Sequence, residues 1–428
     1  MNLENKRITI VGGKRSGMAL AKLALRLGAL PKISEQGPES SLSEDFKAWA
    51  GQKKILLEFG GHTQKFIQDS DLVVLSPGVP ITALPVQWAR EKQIPVLGEI
   101  EFAFQFCNKP VIAVTGSNGK TTTVTVIAEI LKAAGKKVCL CGNVGDPFSK
   151  HIFDLEDKDY VVLEVSSFQL EVLLDPQSQF KGFKPNISVW LNFSQNHLDR
   201  HKDLQEYFDA KKRIFLNQDK DDFAVLNFQD ARLKELAGCL NPKVVFFNDP
   251  VALKNREGFN PNYLAALSVA KILGIKEEIC LQVFKDFKGV EHRLEWVRSL
   301  NGVDFINDSK ATTVEASRWA LEQISRPIVL IAGGRDKNLD FSVINTLVQK
   351  KVRAMVVFGE AKEKLKKTFS PVVSIKEDHS LEGAVGTAKA LAKAGDCVLL
   401  CPMCTSFDMF SSYEERGKVF KQIVHNLK

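Results

Sequence analysis

Thr115-Gly-Ser-Asn-Gly-Lys-Thr-Thr122 is the stretch whose reading decides the fold. Ahead of it, Val111-Ile-Ala-Val114 reads as a buried strand, and behind it VTVIAEILKAAG has the apolar spacing of a helix. A strand, a glycine-containing turn and a helix N-terminus make an anion site. Backbone N–H groups and the helix dipole face the anion, and Gly116 and Gly119 let the main chain approach it. Ser117 and Asn118 complete the turn, the Lys120 ammonium can reach β- and γ-phosphates, and the Thr121 hydroxyl, next to Thr122, can ligate Mg²⁺. The competing reading is a glycine turn merely capped by threonine. A Gly-Lys-Thr-Thr run directly after a buried strand speaks against it and points to a nucleoside triphosphate. The loop is shorter than the common GxxxxGK[ST] form.

Outward from this loop, apolar strand-like runs alternate with helix-length amphipathic segments, the pattern of parallel sheets covered by helices. The chain has 428 residues, too many for one core. Three α/β domains are expected, over residues 1–107, 108–298 and 299–428. Composition is that of an ordinary globular protein, at 44% apolar and 25% charged. No run approaches the roughly 18 apolar residues of a membrane span, and MNLENKRITIVGG lacks the apolar core of a signal peptide. The expectation is a cytoplasmic protein. Its charge of +7 is dispersed rather than gathered into basic–aromatic patches, so nucleic-acid binding has no support. Cys401-Pro-Met-Cys404 resembles a redox pair but ends a longer α/β segment, which favours packing thiols.

Each domain contributes polar residues where a parallel sheet would gather them. In the first, Gly12-Gly-Lys-Arg-Ser16-Gly17 follows a strand and opens a helix. It fails as a dinucleotide fingerprint because Lys14 stands where the second glycine must let backbone touch pyrophosphate. A nucleotide or diphosphate on this helix N-terminus and a ligand-free turn both remain open. Ser76-Pro-Gly78 ends another strand of the same domain. In the second, Glu164 stands in the apolar run YVVLEVSSFQLE, either serving Mg²⁺ or exposed on an edge strand. His197, Asp199 and His201 follow the strand ISVWL, where one functional histidine among surface polar residues is the usual outcome. Lys211 and Lys212 lie on a helix, where adjacent basic residues are ordinarily solvated. In the third, NDSKATT, GGRDKNLDF and CPMCTSFDMFSSYEERG each follow a strand. They bring Lys310, Thr312, Arg335, Lys337, Ser406 and Tyr413 to one rim suited to a carboxylate-bearing ligand.

Taken in order, TGSNGKTTT, CGNVGDPF, EVSSFQLE, NFSQNHLDRH, YFDAKKRI, EHR, NDSKATT, GGRDKNLDF and CTSFDMFSSYEERG resemble the Mur ligase family over nearly the whole chain, and LSPGVP and GEIEFAF resemble its D-glutamate-adding branch. The resemblance implies a Rossmann-like N-terminal domain, a central phosphate-loop domain and a Rossmann-like C-terminal domain. It implies ATP-dependent amide formation between UDP-N-acetylmuramoyl-L-alanine and D-glutamate through an acyl phosphate, with a pair of Mg²⁺ ions, in a monomer. By position, Lys120, Thr121 and Thr122 match phosphate-binding residues, Glu164 a Mg²⁺ ligand, His197 a histidine of the second metal site and Lys211 a lysine carbamylated in the family. Asn262, Arg293 and Asp308 match ATP-site residues. Ser16, Gly17, Ser76, Gly78 and Asn143 match the UDP-substrate site, and Lys310, Thr312, Lys337 and Ser406 the D-glutamate pocket, where Tyr413 stands in place of the usual phenylalanine. Alternatives are a family member using another amino acid and a nucleotide-switched ATPase. The ATPase would release phosphate without any acceptor, a ligase only with both substrates, and the amino acid used separates the ligases.

Overall fold

The computed structural model describes residues 1–173, 179–194, 201–250, 260–336 and 339–428. Among the described residues, seventeen strands form three sheets. The first holds β1 (Arg7–Val11), β2 (Leu30–Glu35), β3 (Leu56–Phe59), β4 (Leu72–Leu75) and β5 (Val96–Gly98) in the order β3-β2-β1-β4-β5. All pairings are parallel. Its helix Arg15–Arg26 buries Ala19, Leu20, Leu23 and Ala24, one face at helical spacing, against the sheet. This order, with β1 central, is that of the first five strands of a Rossmann sheet.

The second sheet holds β6 (Val111–Thr115), β7 (Val138–Gly142), β8 (Tyr160–Glu164), β9 (Ile187–Trp190), β10 (Phe223–Asn227) and β11 (Lys243–Phe247). Its order is β11-β10-β9-β6-β8-β7, again all parallel. Every residue of β6 is buried, as a strand covered on both faces requires. β7 and β8 fill one side of β6 and β9 the other. The loop leaving β6 therefore sits at the topological switch point, where open parallel sheets bind ligands. The YVVLEVSSFQLE run does not stay extended. β8 stops at Glu164, and Ser166 caps the helical turn Ser167–Leu170 in a capping box with Gln169.

The third sheet holds β12 (Glu295–Leu300), β13 (Val303–Asn307), β14 (Ile328–Gly333), β15 (Val352–Phe358), β16 (Ser374–Glu377) and β17 (Cys397–Leu400) in the order β12-β13-β17-β14-β15-β16. Only β12, on the edge, runs antiparallel. The chain divides into two compact units, Met1–Phe287 and Lys288–Lys428. The first two sheets share one unit because a single core runs between them, with Phe104 edge-on to Phe183 at 5.4 Å. The second unit has apolar clusters on both faces of its own sheet.

Candidate functional site

The phosphate loop is laced to the segment after β9. Ser117 N donates to Asn192 O at 3.1 Å and Asn118 N to Asn192 Oδ1 at 2.9 Å, while Ser117 Oγ exchanges bonds with Ser194. Gly119 has φ +83°, a conformation that favours glycine, and a Cβ there would push the Asn262 side chain aside. The same contact brings Asn262 to the loop. The Lys120 ammonium folds across the turn, donating to Gly116 O at 2.7 Å and Ser117 O at 3.2 Å.

Behind the loop lies a buried polar cluster. Glu164, only 2% exposed, accepts from Thr121 Oγ1 and from Asn143 Nδ2, both at 2.7 Å. β8 lies inside the sheet, so the exposed edge-strand alternative for Glu164 falls away. Lys211 is 1% exposed and donates to Gly116 O at 3.0 Å. It is not solvated as adjacent lysines usually are, whereas Lys212 is exposed. Burial, joined by the Lys120 charge, pushes the Lys211 ammonium well below the usual lysine range, with Glu164 opposing. His201 is also buried rather than a surface polar residue. Its Nε2 lies 3.1 Å from Ser167 Oγ and its ring packs on Phe168 and Tyr207. His197 and Asp199 lie outside the described residues.

Between the first two sheets, within the same compact unit, opens a cleft of about 400 Å³. Ser16, Ser76, Gly78 and Asn143 line it, as do Lys14, Arg15 and Glu35. Gly17 is not among the lining residues. A Cβ there would overlap the Gly12 carbonyl oxygen, so its glycine serves close helix–strand packing.

In the second unit, β13, β17 and β14 are adjacent and parallel, so their following loops meet. Met403 N donates to Ala311 O at 3.0 Å and Arg335 N to Thr405 O at 2.9 Å. The Lys310 ammonium sits 5.7 Å from the Tyr413 ring centre, and Ser406 is buried in the loop after β17. Lys337 lies outside the described residues. Fully buried Arg416 ties the three loops together: Nε donates to Ser309 Oγ at 3.0 Å, and the terminal nitrogens to Ser309 O, Cys404 O and Gly333 O. Sequence reasoning passed over it. The signal was an arginine one turn into a helix after a polar loop, and such residues are usually exposed. Asp308 is buried at the end of β13, where desolvation pushes its carboxyl up to about 7 against the Leu294 N–H and the Arg293 charge. Cys401 and Cys404 are buried free thiols, and burial pushes both up.

Loop, buried carboxylate and switch-point position define a phosphate-loop α/β protein flanked by two further α/β modules. Comparison with known proteins narrows that class. The Mur ligase middle domain matches residues 114–257, and the Mur ligase, glutamate ligase domain matches residues 292–404. The UDP-N-acetylmuramoylalanine--D-glutamate ligases of Thermoanaerobacter sp. (strain X514) and Chloroherpeton thalassium are each 38% identical, over 100% and 99% of both chains respectively. The crystal structure of the UDP-N-acetylmuramate-alanine ligase MurC of Thermotoga maritima superposes with a TM-score of 0.57 at 19% identity, covering 99% of this chain and 100% of that one. The chain belongs to the Mur ligase family.

Proposed function

We propose that the protein joins D-glutamate to UDP-N-acetylmuramoyl-L-alanine at the expense of ATP, in the cytoplasmic assembly of peptidoglycan precursors. The observation that carries this reading is the polar set at the loop: buried Thr121, Glu164 and Lys211 converge at the switch point with Lys120 and Asn143, and the cleft lined by Asn143 opens beside them. Full-length relatives bearing the D-glutamate ligase name support the choice of acceptor and amine.

A carboxylate is a poor electrophile because amine attack would have to expel oxide. Transfer of the γ-phosphoryl group of ATP to a carboxylate oxygen, with cleavage of its bond to ADP and departure of ADP, supplies a leaving group. The amine of D-glutamate then attacks the carbonyl carbon, the C–O bond to phosphate breaks, and amide, phosphate and a proton are released. The loop N–H groups and Lys120 stabilise charge on the transferring phosphoryl group, mostly by position and electrostatics. Asn143, held on Glu164, stands between the loop and the cleft that would hold the acceptor. Thr121 and Glu164 present hard oxygen donors 2.7 Å apart, a set that fits Mg²⁺, which when bound neutralises phosphate charge. Lys211 is suited to carbamylation, since its depressed ammonium favours the free amine, and RNH₂ plus CO₂ yields RNHCOO⁻ and a proton. The carbamate would add anionic oxygens to that donor set. The reading takes a monomer working away from membranes and nucleic acid. No helix among the described residues is long and apolar enough to cross a membrane.

Phosphate release with UDP-N-acetylmuramoyl-L-alanine and each of D-Glu, L-Glu, L-Ala and meso-diaminopimelate tests it. D-Glu alone should support turnover. Turnover on another amino acid would assign a different ligase of the family, and release without any acceptor would assign a nucleotide-switched ATPase.

A further inference from the structure

The turn after β1 departs from a dinucleotide site in a way the fold alone does not explain. A fingerprint turn meets pyrophosphate with backbone N–H groups. Here the Gly13 N–H donates to Glu35 Oε2 at 2.6 Å, and the other Glu35 oxygen accepts from Gly37 N at 2.8 Å. Glu35 is buried and lines the cleft floor. A backbone donor of the turn is therefore spent on an internal carboxylate, and that carboxylate adds negative charge where an anion would lie. With that donor spent, side chains take a share in recognising an anionic ligand. Two cations stand at the place: Lys14, in the position of the missing glycine, and Arg15, both lining the cleft.

Arg15 is already engaged across the cleft. Its guanidinium donates to Asp146 Oδ1 at 3.1 Å, linking the first helix of one sheet to the loop after β7 of the next. The pair is weakly held, with side chains 58% and 33% exposed. Exposed ion pairs are screened and entropically costly. Asp146 also keeps a second partner, Lys150 Nζ, at 2.6 Å, so releasing Arg15 does not strand a carboxylate. A diphosphate offers a guanidinium more charge and a bidentate geometry than a shared carboxylate does.

We propose that Arg15 and Asp146 form an ionic latch across the cleft, and that the diphosphate of a nucleoside-diphosphate ligand draws Arg15 off Asp146 and takes it as its own partner. This rests on the UDP-linked substrate of the proposed function and adds the residue that reads its diphosphate. Asp146 is then a competitor for Arg15 rather than part of the site, and that gives the pair opposite signatures.

Calorimetric titration of the full-length protein tests it, with UDP and uridine as probes and a non-hydrolysable ATP analogue occupying the phosphate loop. Arg15→Ala should weaken UDP roughly tenfold and leave uridine unchanged, the loss of one charge-assisted contact. Arg15→Lys should fall between. Asp146→Ala should tighten UDP a few-fold, and the salt dependence of UDP binding should be shallower in Arg15→Ala than in the parent. Equal UDP affinity in Arg15→Ala and the parent overturns the latch, as does Asp146→Ala weakening UDP as much as Arg15→Ala. Binding of the ATP analogue reports that each variant is folded. Should the parent itself bind UDP no better than uridine, the UDP-linked reading fails, and the latch with it. A parent that prefers UDP alongside an indifferent Arg15→Ala removes the latch alone.

Discussion

Lys211 and Lys212 are neighbours in sequence and opposites in chemistry. Helical spacing turns one side chain inward, beneath the phosphate loop, and the other to solvent. A buried ammonium pressed by a second lysine is costly, and such a group sheds its proton or is chemically converted. Lys211→Ala should therefore be almost inactive in phosphate release and partly rescued by short carboxylic acids, which can supply the missing oxygens. Lys212→Ala should match the parent. Enzyme prepared in ¹³C-bicarbonate should show a carbamate carbon signal that Lys211→Ala lacks. Full activity in Lys211→Ala would remove the modified lysine from the mechanism.

At the scale of elements, the rim of the third sheet is tied together by a cation that donates to hydroxyl and carbonyl oxygens. Arg416, in the helix Tyr413–Asn426, spends its guanidinium on the loops after β13, β14 and β17, and burial lowers it to about 10. Arg416→Met should strand those carbonyls and lower stability by about 3 kcal/mol or more, read as a fall in denaturant midpoint. Arg416→Lys should recover little of it, because an ammonium cannot reproduce the planar fork. A loss within experimental error would deny it the clamping role. Asp308 sets a pH dependence in the same rim. Its folded value, about 7, lies above the ordinary 3.8, so the folded state holds the proton more tightly. Its contribution to stability is fully present below the ordinary value and is lost as pH rises through about 7, up to about 4 kcal/mol. Asp308→Asn, which keeps an oxygen for the Leu294 N–H, should gain on the parent between about pH 5 and pH 8 in thermal midpoint. Parallel pH curves for the two would contradict this assignment.

At the scale of the molecule, two units with separate cores carry the chain. A fragment Lys288–Lys428 retains β12 and its antiparallel pairing with β13. It should fold alone and melt cooperatively by circular dichroism. A fragment beginning at Ser299 loses most of β12 and exposes the β13 edge, and it should melt lower or aggregate. Equal melting of the two would show that β12 contributes nothing to that unit.

Much of this was legible in the chain. A strand, glycine turn, lysine and threonine run encodes its anion site locally, because backbone N–H groups, a helix dipole and two side chains all lie within eight consecutive residues. Strand and helix alternation likewise declares parallel sheets through short-range periodicity alone. What local sequence left open was the burial on which a group's role depends. Glu164 could be exposed or internal until β8 was set between β6 and β7, His201 had the composition of a surface loop, and Lys211 that of a solvated helix face. Arg416 and the Arg15–Asp146 pair gave no local sign, since their partners stand far away along the chain. The sequence by itself determined the fold class, the phosphate loop and the family. Tertiary structure alone decided which charged side chains leave water and which partners meet them there, because desolvation and long-range pairing depend on the packing of distant segments and not on neighbours in the chain.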